Sequence, residues 1–452
     1  MTPSPPDPDR VPLPMLSALP LPNEPVPLMS GRMPIEFPES SVVLDAHVVV
    51  LLTWGRRACT TFTAVAESPP PGLVKESYVT VSVNGTRVEC LVSNFLDSWK
   101  TGEGRTLQLT LRLRGTTDFS DGSRLRRLTF GIVNFTDFLG RHLADTKSGW
   151  AGRLILEAGG WRITIDGRRD LREVTKRLDD EGGFAVTHAG CLERSDGAMF
   201  DIQAADGVMD ALYLLLSFAR GHSASLVLHR GEDESGSRAW WRWLVPSVEA
   251  WSDPLTWFDE QRPDQLNAMF STLVDNWSDA GWREAVQLGV YWYVLALQNA
   301  PTADSSIVLA FTGLDLVGWF RLVELEHAHS VAEFDKKEAA ERLRHLLRRS
   351  GVPLEIPAAL STLAAHAAKE GWADGPAALG VLRNSAVHPK RCARAFDAPD
   401  RVRWEACTLA LWYLELALLA LLGHGGTYIN RTERPTSYGL EYVPWGTKKG
   451  LE

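Results

Sequence analysis

Residues 382–389 read Leu-Arg-Asn-Ser-Ala-Val-His-Pro, which sets the guanidinium of Arg383, the amide of Asn384 and the imidazole of His388 just ahead of a proline. Proline disfavours helical backbone at the residue before it. A helix carrying Arg383 and Asn384 should therefore stop at His388, leaving the imidazole at its C-terminal edge. The negative end of the helix dipole favours a protonated imidazole there. Lys390, Arg391, Arg394, Arg401 and Arg403 follow. With Arg383 they place six positive against two negative charges over 383–403, a local +4 on a chain of net charge −9. Such a spot attracts a phosphate backbone. A forked guanidinium and an imidazole that titrates near neutrality are the groups phosphodiester cleavage needs, one to brace charge and one to move a proton. The bland alternative is an Arg and a His that merely cap a helix C-terminus.

Spacing alone is weak. With 37 Arg and 11 His in 452 residues, Arg-x4-His should occur roughly once by chance, and requiring Asn after the Arg lowers that to about 0.02. The motif also stands between a short helical segment and a long apolar one, which adds independent weight.

The elements around it divide the chain. Residues 1–38 hold twelve of the twenty-six prolines and read as an extended, flexible leader. From 39 to 255 the pattern is short and β-like, an antiparallel β-rich domain with two inserted helices, Leu171–Asp180 and Gly207–Arg220. Strand candidates are Val48–Thr53, Cys59–Ala66, Tyr78–Val92, Thr106–Arg114, Leu128–Phe135, Arg153–Glu157, Trp161–Ile165 and Ser225–His229. Asn84-Gly85 and Gly159-Gly160 mark hairpin turns. From 256 to 452 helical patterns take over: Gln265–Trp277, Ala280–Gln298, Ser305–His327, Pro357–Glu370, a short helix opened by Asp374-Gly375-Pro376, and Asp400–Leu422. Ser330 and Glu333 form a capping box that should open a helix running to Ser350. The expected fold class is α+β, an N-terminal β-rich domain followed by a C-terminal all-α bundle.

Composition narrows the function classes. Hydrophobic residues make up 45% and charged residues 23% of the chain, ordinary globular values that exclude a disordered or multi-span membrane protein. With a net charge of −9, nucleic-acid contact must come from a local patch. Cys59, Cys90, Cys191, Cys392 and Cys407 form no CxxC pair, so neither a disulfide framework nor a zinc ribbon is indicated, and a reducing cytoplasm is the economical compartment. The first residues lack the basic start and apolar run of a secretory signal. One stretch, Trp404–Gly423, is long enough to span a membrane, but Glu405 and Glu415 interrupt it, and a buried bundle helix is expected instead.

Other groupings carry less. Glu326, His327 and His329 sit at a helix end, without the further ligands a metal site needs. Gly221-His222-Ser223-Ala224-Ser225 imitates a nucleophile elbow but lacks its second glycine. Arg342, His345 and Arg349 share a helix face, with Arg344 and Arg348 beside them, either an RNA track or a solvated face. Arg124, Arg126, Arg127 and the arginines from 168 to 177 are basic spots that could bind nucleic acid or a phage component, with ordinary surface charge the plainer reading. Trp240, Trp241, Trp243, Trp251 and Trp257 gather where the halves join, as rings filling a core or an interdomain seam do. Neither GxGxxG nor a P-loop occurs.

The segment Arg383-Asn384…His388 resembles the Arg-polar-x3-His motif of HEPN ribonucleases, and residues 262–450 look most like the ApeA-like HEPN domains of anti-phage systems. Tyr291-Trp292-Tyr293, Gly313-Leu314-Asp315 and the tail Gly426-Thr427-Tyr428-Ile429-Asn430-Arg431…Val443-Pro444-Trp445 carry the likeness. Asp315 stands where such chains often have Glu. Leu215–Gly221 and Ala239–Trp243 resemble, more loosely, the N-terminal regions of these proteins.

The resemblance implies a metal-independent endoribonuclease, without cofactor, that leaves 2′,3′-cyclic phosphate ends, and an abortive-infection effector or toxin in biological role. His388 would act as base or acid and Arg383 would brace the transition state. Asn384 would orient the phosphate or the imidazole, while Lys390, Arg391, Arg394, Arg401 and Arg403 bind RNA. One motif supplies one histidine, so a homodimer or higher homo-oligomer through the helical domain is implied, with Ala280–Gln298 and Asp400–Leu422 as interface elements. The β-rich domain would sense an unknown trigger. The alternative is a non-catalytic HEPN module that binds RNA or a nucleotide or senses a ligand.

Overall fold

The computed structural model describes residues 11–55, 57–70, 73–100, 104–143, 149–388, 398–433 and 439–446. The fold is α+β: two antiparallel β assemblies occupy the N-terminal half and helices dominate beyond residue 260. The first assembly is a closed barrel of β1 (Val26–Phe37), β2 (Val42–Thr53), β3 (Cys59–Glu67), β4 (Tyr78–Val83), β5 (Thr86–Lys100) and β6 (Gly104–Leu113), in the order β1-β2-β3-β6-β5-β4. Alternate residues such as Ile35, Phe37, Val48, Val50, Phe62 and Leu111 point inward and fill it. At the β4–β5 turn Asn84 and Gly85 both take positive φ (49° and 81°), as a two-residue hairpin turn demands.

The flexible-leader reading fails for the described residues: the Leu13 N–H donates to Asp166 at 2.8 Å, the Asn23 N–H donates to the Phe184 carbonyl at 2.8 Å, and from residue 26 the chain is a strand. Val26–Phe37 is a barrel strand paired along its length with β2. Proline counts misled here because the strand places its prolines where no donor is missed. Pro27 stands at a register irregularity, and Pro34 just precedes the short pairing with β4 at Ile35 and Glu36. Residues 1–10 lie outside the described residues.

The second assembly is an eight-stranded sheet. Its strands are β7 (Thr116–Ser120), β8 (Arg127–Val133), β9 (Arg141–Leu143), β10 (Trp150–Ala158), β11 (Trp161–Gly167), β12 (Val186–Arg194), β13 (Leu226–Glu232) and β14 (Arg238–Leu244), in the order β7-β14-β13-β8-β12-β11-β10-β9. Helix α1 (Leu171–Glu181) bridges β11 and β12, and α2 (Ile202–Arg220) lies against the sheet, closed by Gly221 at φ 74°. Strand β14 shows how the layers join. Trp240 packs into the core shared with α2 and the helices, whereas Trp241 and Trp243 belong to the barrel side. Strand alternation thus divides these rings between two cores, and Trp257 joins Trp240 in the first.

Beyond Pro263 the helices are α3 (Leu266–Asn276), α4 (Ala280–Gln298), α5 (Ala303–Trp319), α6 (Val331–Asp335), α7 (Ala339–Arg349), α8 (Ser361–Glu370), α9 (Gly375–Val387) and α10 (Asp400–Leu421). One apolar cluster runs from the sheet through α2 into this bundle, so the helices share their core with the sheet. Glycines allow the closest approaches. A Cβ on Gly289 would meet Leu418 at 2.8 Å, and one on Gly313 would meet Leu414 at 3.0 Å. Two expected helices are shorter than their patterns. The capping box at Ser330 and Glu333 forms, but α6 ends at Asp335 and α7 begins afresh at Ala339. The helix expected from Pro357 starts only at Ser361, where the buried Glu405 carboxylate accepts the Leu363 N–H at 2.8 Å.

Among the described residues three helical stretches, not one, are long and apolar enough to cross a membrane by length and composition: Ile202–Arg220, Ala303–Leu325 and Asp400–Leu421. Their most apolar windows are 61%, 61% and 83% buried by the rest of the protein, so their apolarity is spent on the shared core.

Candidate functional site

Helix α9 carries the motif. Asp374 caps it, accepting the Ala377 N–H at 2.8 Å, and Pro376 occupies its first turn. The same carboxylate binds Arg344 of α7 at 2.6 Å, which fixes the helix start. Gly380 lets α9 lie close on α7, since a Cβ there would meet that of Ala340 at 3.2 Å. The helix ends at His388, whose backbone is extended (φ −107°, ψ 116°) while its N–H still donates to the Asn384 carbonyl at 3.1 Å. This is the stop that Pro389 imposes, and it leaves His388 exposed.

Arg383 is held from two sides. Its Nη1 donates to Asn384 Oδ1 at 3.1 Å, and its guanidinium lies 5.8 Å from the centroid of the Phe311 ring on α5. Its Nε is buried and has no partner among the described residues. One turn along α5 from Phe311 stands Asp315, which accepts Arg342 Nη2 of α7 at 2.8 Å through Oδ2. Asp315 Oδ1 and Arg342 Nε are also buried without a partner. Burial pushes the Asp315 carboxyl above its usual range, opposed by Arg342 and, more weakly, by Arg383. Three helices thus gather a carboxylate, two guanidiniums and an amide, and His388 lies exposed at the end of the helix that carries Arg383 and Asn384. Unfilled hydrogen-bonding capacity is concentrated there, and each such group in a folded protein calls for an explanation.

The remaining basic residues divide. Lys390, Arg391 and Arg394 lie outside the described residues. Arg401, largely exposed, pairs with Glu405 at 2.8 Å. Arg403 is mostly buried, binds Asp304 at 2.7 Å and also contacts Asp400; it ties the starts of α5 and α10 together. The Arg342 row is likewise engaged: Arg342 with Asp315, Arg344 with Asp374, Arg349 with Glu326. Its role is to join helices. His329 Nε2 lies 3.3 Å from His345 Nδ1, and His327 Nδ1 lies 3.0 Å from the Val323 carbonyl. Among the described residues no three His, Cys, Asp or Glu side chains gather as a metal site would require.

Of the proposed interface elements, α10 is almost wholly buried, exposing Trp404 as its one large apolar side chain, and α4 exposes Tyr291. Helix α9 itself shows Val381 and Val387 to solvent.

With this geometry in place, comparison with known proteins adds a family context. Residues 120–254 match the family model described as YopA central domain, and residues 279–441 match that of the YopA C-terminal domain. This chain is similar to YopA. Over 381 residues it is 29% identical to the "SPbeta prophage-derived uncharacterized protein YopA" of Bacillus subtilis (strain 168), spanning 83% of this chain and 84% of the relative. No solved structure matches. The YopA central-domain match covers β8 to β14 with α1 and α2, and the YopA C-terminal match runs from the start of α4 into the short strand Leu440–Tyr442. Arg383, Asn384, His388, Asp315 and Arg342 all fall in the second. The HEPN likeness rests on the motif residues and not on these matches.

Several residues that carried that likeness have structural work. Tyr293 is buried and donates to Glu415 Oε1 at 2.6 Å, and Arg431 from the tail donates to Glu415 Oε2 at 2.7 Å. Tyr428 is also buried, receiving the Trp412 indole N–H at 3.0 Å. Sequence reading marked Glu415 as an interruption in an apolar helix. Its partner lies sixteen residues on, across a turn, where no helical spacing signals it.

Proposed function

We propose that the helical half is a HEPN-type endoribonuclease in which Arg383, Asn384 and His388 form the active site. The observation that carries this reading is the state of Arg383. Its guanidinium is steadied by Asn384 and Phe311, yet its buried Nε has no partner among the described residues, and His388 lies exposed at the end of the same helix. In RNA the 2′-hydroxyl is the nucleophile, so the protein need only move protons and brace charge. His388 removes the 2′-proton or protonates the departing 5′-oxygen, which leaves a 2′,3′-cyclic phosphate. Arg383 stabilises the charge that builds on the phosphate. The hydrogen bond at 3.1 Å makes Asn384 the residue that orients Arg383. Asp315 and Arg342 set the field behind it.

One histidine cannot serve as base and acid at once in the same step. A homodimer that apposes two motifs answers this, and the exposed Val381 and Val387 on α9 suit such a contact. A cytoplasmic location and a role in phage–host conflict follow from the same reading, in keeping with the prophage origin in the relative's name.

The test is an RNase assay in EDTA with total RNA and tRNA, comparing wild type with Arg383→Ala and His388→Ala. Fragments ending in 2′,3′-cyclic phosphate from wild type alone support the site. Cleavage by His388→Ala at the wild-type rate removes His388 as catalyst.

A further inference from the structure

A cavity of about 220 Å³ lies in the seam between the barrel and the eight-stranded sheet, far along the chain from α9. Two strand irregularities border it. In β1 the register against β2 steps between Pro27 and Met29, which leaves Leu28 extra. In β13 the stretch from Val227 to Arg230 answers the shorter stretch from Gly131 to Thr129 on β8. Within that bulge Leu228 takes φ 57°, left-handed backbone that a branched side chain rarely adopts. Bulges re-aim side chains, and strained positions of this kind concentrate at ligand sites.

The polar lining is one-sided. Arg230, Arg238 and Arg242 border the cavity, and no carboxylate does. Arg242 is spent on Asp118 and Asp206, and Arg230 pairs with Glu232 at 3.2 Å. Arg238 has no carboxylate partner among the described residues; it lies 4.2 Å from the centroid of the Trp241 ring. Phe119 stacks on the same ring at 4.7 Å, tilted by 5°. The Trp241 indole N–H is buried and has no acceptor among the described residues. A donor-only group left unfilled beside an unpaired guanidinium, against a flat aromatic stack, describes the complement of an aromatic anion. The size fits one ring, below the ~300–1,000 Å³ of drug-sized sites.

We propose that this seam binds a small aromatic anion, a single flat ring bearing a carboxylate or a phosphate, with the Arg238 guanidinium and the Trp241 N–H on its charged end. The proposal is independent of the nuclease reading. Isothermal titration of the full-length protein with benzoate, phenyl phosphate and the cationic isostere benzamidine tests it. At least one anion should bind saturably at one site per chain, and benzamidine should not. Arg238→Gln and Trp241→Phe should each weaken the anion by about tenfold or more. Arg238 is exposed, so Arg238→Gln carries the test even if Trp241→Phe misfolds, with circular dichroism as the check on both. No saturable binding of either anion up to roughly 10 mM overturns the proposal. So does equal binding of benzamidine, or undiminished affinity in both variants.

Discussion

Arg342 donates to Asp315 Oδ2 at 2.8 Å, while the other oxygen of that carboxylate, Oδ1, is buried without a partner among the described residues. The pair joins α7 to α5 just behind Arg383, and it is only half satisfied. Burial outweighs both neighbouring guanidiniums, so the Asp315 carboxyl titrates above its usual range.

A raised carboxyl favours the fold in its protonated form. That contribution is fully present below the unfolded value of about 3.9 and disappears as pH rises through the higher folded value. Wild type should therefore lose melting temperature relative to Asp315→Asn between about pH 4 and pH 7. Parallel melting curves for the two proteins would contradict the assignment.

His188 produces the opposite slope. It is fully buried, stacked 5.2 Å from Phe138, and its Nε2 has no partner; burial depresses its pKa to about 3. A depressed base stabilises the fold above its ordinary 6.5, and that stability is lost as pH falls toward the folded value. Each such histidine costs up to about 1.4 kcal/mol per pH unit below 6.5, and His222 and His229 are depressed to about 3 as well. Urea unfolding at pH 7, 6 and 5 should show a steep acid loss, shallower by about one histidine in His188→Leu. An unchanged slope would mean that His188 is protonated in the fold.

Arg401 and Arg403 looked equivalent in sequence but should behave differently. Arg401 is itself largely exposed, and its buried partner Glu405 keeps the Leu363 N–H without it, so Arg401→Ala should cost at most about 1 kcal/mol of stability. Arg403 bridges Asp304 and Asp400 from a mostly buried position, and Arg403→Ala should cost about 1–3 kcal/mol. Denaturation of both variants measures the difference. Equal, small losses would return Arg403 to the surface and to RNA binding.

Glu415 is fully buried in α10 and is matched by Arg431. Arg431→Met leaves that carboxylate uncompensated and should cost about 3–5 kcal/mol. The double variant Arg431→Met/Glu415→Leu should recover much of it, because removing both charges of a buried pair is often neutral. A double variant no better than Arg431→Met would show that the hydrogen bonds of Tyr293 and the Leu255 carbonyl matter more than the charge.

Local signals decided much of this protein. The Asn84-Gly85 and Gly159-Gly160 turns, the Ser330–Glu333 capping box, Asp374 ahead of Pro376, and the stop at His388 before Pro389 all work within a few residues, through backbone φ, missing donors and caps. Such features are legible in the chain because their physics is local. Strand β1 was not, since its prolines are tolerated only through where β2 and β4 pair. The division of the β-rich half into a barrel and a sheet was also hidden, because strand alternation shows that a strand has two faces and not what covers each. At the candidate site, residue types announced Arg383, Asn384 and His388. Tertiary packing alone brought Asp315 and Arg342 behind them, spent Arg403 on helix anchoring, and paired Glu415 with Arg431. Those choices depend on which charges meet across helices far apart in sequence, and Coulomb attraction is felt only once the chain has folded them to within a few ångströms.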